Sequence, residues 1–140
     1  MEQKNLLEPY EGYKQTQIEV LAIHHKKLRN NFFIIGLVFL SADMIGMAVS
    51  NNVASTVIAA SLLMPILYAG LAFLSLKQTM MAVIIAVVLF ALVLILQVLV
   101  NGAGALLSGW IFKAVLVYLH ISAYRYANDI RTTEKEITLL

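Results

Sequence analysis

The chain has 140 residues, of which 61% are hydrophobic and only 13% charged, whereas an ordinary soluble domain is about half apolar and about a quarter charged. A globule this small needs the most polar cover and has too little of it to be a soluble domain, and the same hydrophobicity excludes disorder. A net charge of +2 is too weak for nucleic-acid binding, and the absence of cysteine excludes disulfides and thiolate metal sites.

With a mean hydropathy of +0.84, the composition points to a membrane protein. Residues 1–31 are mostly polar and hold no apolar run of the signal-peptide kind, so the first apolar segment is expected to direct insertion itself. Within this stretch Ile18, Leu21, Ala22, His25 and Leu28 recur at helical spacing. A helix is expected from about residue 13, after the turn-prone Pro9 and Gly12, running on into the first span. The run His24-His25-Lys26-Lys27-Leu28-Arg29 reads as an anchor for anionic headgroups or a docking face for a partner. Adjacent histidines point about 100° apart on a helix and are poorly placed to share a metal, so no metal site and no cofactor are expected.

Four apolar segments follow, at about 32–49, 53–76, 79–100 and 105–126. Each is close to the roughly 20 residues a helix needs to cross about 30 Å of hydrocarbon. None alternates as a membrane barrel strand does. Asp43 stands in the first segment, Pro65 in the second, and Lys113 and His120 in the fourth, while the third is almost uniformly apolar. Pro65 removes a backbone donor and is expected to kink its helix. The connections, Ser50-Asn51-Asn52, Lys77-Gln78 and Asn101-Gly102-Ala103-Gly104, are short enough to permit only antiparallel neighbours. The predicted fold is therefore all-α: an antiparallel up-down-up-down four-helix transmembrane bundle over 32–126. Amphipathic residues 1–31 precede it, and a helical tail, 127–140, follows it.

Lys26, Lys27 and Arg29 precede the first segment, Lys77 joins the second and third, and Arg125, Arg131 and Lys135 follow the fourth; the other two loops are uncharged. The positive-inside rule then places both termini in the cytoplasm. There the two extensions are expected to pack, with Glu11 or Glu19 near Arg131 or Lys135. Tyr10, Tyr13, Tyr124 and Tyr126 toward one interface and Trp110 toward the other fit aromatic belts.

The out-of-place residues carry the functional argument. A charge at a helix centre costs about 2.5–3.5 kcal/mol on insertion scales. Asp43 and Lys113 lie at similar depth, roughly 10–13 Å below the loop-side boundary at 1.5 Å per residue, on the two helices that close the bundle. A buried ion pair is the expected outcome. His120 and Tyr124 follow Lys113 by seven and eleven residues and fall on nearly the same stripe. Gly36 and Gly46 on the first helix, and the small-xxx-small pair Ala105 and Gly109 on the fourth, are expected to let these helices approach. The pair either fixes register, with His120 and Tyr124 hydrogen-bonding beside it, or ends a proton path running from Tyr124 through His120. The middle helices add only Thr56, Ser61, Tyr68 and Gln97.

No phosphate-binding glycine loop, nucleophile elbow or His/Glu metal motif is present, so no enzyme is expected. The expected role is an interaction or assembly component, as a homo-oligomer or an accessory subunit of a membrane complex. Its partners would be the bilayer, anionic headgroups met by Lys26, Lys27, Arg29, Arg125 and Arg131, and itself or another membrane subunit. The alternative is a small proton- or ion-linked transporter or channel using Asp43, Lys113 and His120.

Overall fold

The computed structural model describes the backbone of residues 3–50 and 55–139 and the side chains within 11–50, 57–104 and 106–139. The chain is all-helical. The first helix, α1, is unbroken over Gln3–Ser50, about 70 Å at 1.5 Å per residue. It begins well before residue 13, so Pro9 and Gly12 do not stop it: one missing donor in the second turn and one flexible residue weaken a helix without ending it. The Asn51-Asn52 connection lies outside the described residues.

The second apolar segment forms two pieces, α2 (Ser55–Ser61) and α3 (Leu63–Leu74), which meet at Leu62. The cause is Pro65, which has no N–H to offer the carbonyl of Ser61. As the third residue of α3 its own position is tolerated, because first-turn amides have no intrahelical acceptor. The uniformly apolar third segment forms α4, Thr79–Asn101.

The fourth segment departs from expectation at its start. Gly102 (φ 77°) ends α4, a 3-10 turn covers Ala103–Leu106, and Gly109 (φ 63°) turns the chain into α5, Trp110–Leu139. Positive φ at both positions favours glycine. Gly109 is thus a turn residue and not one half of a helix-packing pair, and the side chain of Ala105 lies outside the described residues. The far end of α5 runs past Ile137, as its lack of Gly and Pro implies.

Three helical stretches are long and apolar enough to cross a membrane: Glu11–Ser50, Val57–Leu74 and Thr79–Asn101. Helix α5 is not among them, since Lys113, His120 and Arg125 dilute its apolar run.

The helices pack in a ring: α1 lies against α3 and α5, and α4 against α3 and α5. Contacts between α1 and α5 occur in opposite chain order, Asn31 with Leu119 and His24 with Asp129, so the two are antiparallel. The core is built from Leu28, Phe32, Ile35 and Phe39 of α1, Tyr68, Leu71 and Ala72 of α3, Ala82, Ala86 and Phe90 of α4, and Leu116, Ala123, Ala127 and Ile130 of α5. Each set recurs at three- or four-residue spacing, the stripe of a one-faced helix. The core fills only the half of the ring toward the chain termini. Among the described residues nothing on α1 beyond Phe39, on α4 beyond Phe90, or on α5 before Leu116 is buried. Toward the loop end the described side chains of α1, α4 and α5 are half-buried or exposed.

Candidate functional site

Tyr68 sits at the centre of the packed half and touches all four sides of the ring. Its ring lies against Phe39 and Phe32 of α1, with centroids 5.6 and 6.4 Å away. Its hydroxyl is 3.1 Å from the carbonyl oxygen of Ala86 on α4 and 2.8 Å from Nε2 of His120 on α5. His120 stacks on Phe90 at 4.8 Å, and its Nδ1 is 2.7 Å from the carbonyl oxygen of Leu116. A carbonyl only accepts, so Nδ1 carries a proton, and in a neutral ring Nε2 accepts from the Tyr68 hydroxyl. Both polar side chains are thereby satisfied inside an aromatic box. The sequence places these two residues on different helices with no spacing to join them, so their partnership is visible only in the fold.

The predicted Asp43–Lys113 pair does not form. Asp43 makes no hydrogen bond or ion pair among the described residues; its side chain opens onto a cavity between α1 and α2. Lys113 Nζ instead donates to the carbonyl of Ser108, 2.7 Å away, at the turn before α5. The two side chains turn to different neighbours. Asp43 faces α2, beside Val57, Ala60 and Ser61, while the Lys113 ammonium reaches back along its own helix toward the loop end.

The expected α5 stripe also divides. His120 is buried, Lys113 is half-buried and Tyr124 is exposed. The face that packs is Leu116, His120, Ala123, Ala127 and Ile130, and Tyr124 lies beside it, so the three residues do not form one path. The closure of α1 against α5 does occur. Its buried polar contact is Asn31, whose Nδ2 donates to the carbonyl of Leu119 at 2.7 Å.

Gly36 is a close-packing residue, but toward α3: a Cβ there would stand 3.2 Å from Cα of Pro65 and 3.5 Å from Cβ of Tyr68. Gly46 has open space around it and borders the same cavity as Asp43. Pro65 therefore marks both the kink and a close approach of α3 to α1.

Beyond the apolar segments, α1 and α5 continue together. His24 Nδ1 is 3.8 Å from Asp129 Oδ2, and His25 Nε2 is 3.9 Å from Glu134 Oε1. These contacts are ionic only where the imidazole is protonated, and Glu11 and Glu19 do not pair with Arg131 or Lys135. The histidines fall on the stripe Leu21, His24/His25, Leu28, Asn31/Phe32, Ile35, a pattern that could have identified them as interface residues. Lys26, Lys27, Arg125 and Arg131 are exposed and Arg29 is half-buried.

No protein-family model, curated protein or solved structure matches the chain.

Proposed function

We propose that this protein is a small multi-pass membrane subunit that works by assembly, its exposed half completed by a second copy or by another membrane protein. The observation that carries this reading is the uneven core. The packed half buries large side chains from all four sides, while near the loop end Val49, Leu99 and Val100 are at least three-quarters exposed. Lipid can cover such side chains. It offers nothing to Asp43, which is exposed. Small and polar residues facing outward from membrane helices are how such helices find one another.

The reading takes α5 as a fourth crossing, with both termini in the cytoplasm. Its support is the pairing of His24 with Asp129. Residue 24 precedes the first apolar run, so the end of α5 lies on the same side as the start of α1, and α5 has to cross back to reach it. Lys113 is accommodated by reaching toward the loop-end boundary.

The mass of the intact complex, extracted in lipid nanodiscs without detergent exchange, tests the proposal. The expected result is a multiple of the 15.5 kDa chain or a complex with a second membrane protein. A lone chain, with no cross-linking of a Leu99→Cys variant in its native membrane, refutes it. Ion-linked transport remains the second reading. What favours it is the Asp43 carboxylate, which faces a cavity rather than a cation.

A further inference from the structure

The Asp43 cavity has a definite construction. Gly36 brings α3 against α1 at Pro65; one turn beyond, the helix is interrupted at Leu62, where α2 and α3 meet. A wedge opens between α1 and α2. One chamber, of about 320 Å³, is lined by Asp43, Gly46, Met47, Ser50, Val57 and Ser61 among others. The neighbouring chamber, of about 460 Å³, is lined by Leu40, Met44, Met47, Ile58, Ser61 and Leu62 among others. Met47 and Ser61 belong to both walls, so the two spaces are adjacent.

The chemistry of the lining is asymmetric. Ser61 Oγ donates to the carbonyl of Ile58 at 2.8 Å, and Ser50 Oγ to that of Met47 at 3.3 Å. Both hydroxyls are turned into their own helices. Among the described residues, Asp43 is the one charged residue of the lining, and no lysine, arginine or histidine lines either chamber. A carboxylate at this depth needs a positive charge beside it. The second chamber offers an apolar wall in which Met44 and Met47, flexible and polarisable, adapt to varied shapes. Each volume falls within the range of small-ligand pockets, about 300–1,000 Å³.

We propose that the wedge between α1 and α2 is a binding site for an amphiphilic organic cation: an ammonium group against Asp43, with its alkyl or aryl body in the chamber of Met44, Met47, Ile58 and Leu62. Charge complementarity selects this occupant over an acyl chain, which would leave the carboxylate unmatched, and over an anion, which it repels. The site is formed within one chain and so does not depend on the assembly proposed above.

The test is a calorimetric titration of the full-length protein in nanodiscs with octyltrimethylammonium, beside 1-octanol as the uncharged control. Saturable binding of the ammonium is expected, with at least tenfold weaker binding to Asp43→Asn and no Asp43-dependent binding of octanol. Met47→Trp, which fills the shared wall and keeps the carboxylate, is expected to weaken binding likewise. Asp43→Glu should retain it, which keeps the test decisive if Asp43→Asn does not fold. Equal affinity of wild type and Asp43→Asn, equal binding of octanol and the ammonium, or no effect of Met47→Trp would each overturn the proposal. Because the readout is affinity and not mass, a monomeric protein that binds the ammonium refutes only the assembly reading.

Discussion

Tyr68 has one hydroxyl proton and two acceptors within reach, His120 Nε2 and the carbonyl of Ala86. The carbonyl already accepts a bond within α4, so the imidazole has the greater need. Tyr68→Phe removes the donor and leaves a buried nitrogen unsatisfied, at a cost of about 1–3 kcal/mol. Replacing His120 as well, with Phe, removes the orphaned acceptor. The double variant should therefore unfold at a higher temperature than the sum of the two single losses allows, and a double-mutant cycle on thermal midpoints in detergent measures that coupling. A second residue-scale prediction concerns Gly36. Its Cα faces the backbone of Pro65, which cannot swing aside as a side chain does, so Gly36→Leu should cost about 1–3 kcal/mol by overpacking. Circular dichroism melting checks it. Gly36 was readable from the sequence as a small residue in a helix interface, but its partner was not. Small residues announce a close approach without saying which neighbour makes it, and here a proline kink brought α3 nearer than α5. Asp43 and Lys113 were readable as anomalies in apolar segments, but not the neighbours they turn to: Asp43 borders α2 and Lys113 reaches the turn before α5, and matching depth by residue number says nothing of which face a side chain takes.

At the scale of elements, the α1–α5 seam is held by apolar packing, with polar contacts at its margins. Leu28 is fully buried in it, and Leu28→Ala should cost about 2–5 kcal/mol. Asp129 and Glu134 are half exposed and stand 3.8 and 3.9 Å from their histidines. Asp129→Asn or Glu134→Gln should each change stability by less than about 1 kcal/mol, and by less still at high salt. Thermal midpoints of the three variants at low and high salt check the contrast; a carboxylate substitution as damaging as Leu28→Ala would mean that charge holds the seam. The long course of α5 was written in the sequence as an absence of Gly and Pro after Gly109, and that of α1 as a continuing apolar stripe from Ile18, though not its start ahead of Pro9 and Gly12. The start of α5 was not. Residues 105–107 are apolar and read as membrane helix, yet Gly102 and Gly109 adopt backbone angles that end one helix and delay the next. An apolar pattern records what a segment avoids and is silent about whether a glycine beside it turns left-handed.

For the molecule as a whole, the decisive question is how many times the chain crosses the bilayer, and hydropathy and packing answer it differently. Three stretches qualify by apolarity, and three crossings put the termini on opposite sides. The packing argues for four. Helix α5 supplies one side of the core through Leu116, Ala123, Ala127 and Ile130, and its polar residues have local answers: His120 on Tyr68, and Lys113 on the carbonyl of Ser108. If α5 instead lay in the interface, the aromatic box around Tyr68 would lose a wall, and His24 and His25 could not meet Asp129 and Glu134 across an apolar barrier. A chain without cysteine allows a clean measurement. Single-cysteine variants at Gln15 and Glu136 should react with a membrane-impermeant maleimide from the same side, the cytoplasmic one, and a variant at Leu107 from the other. Labelling of positions 15 and 136 from opposite faces would reduce the crossings to three and dissolve the ring on which both the packed half and the exposed half are defined.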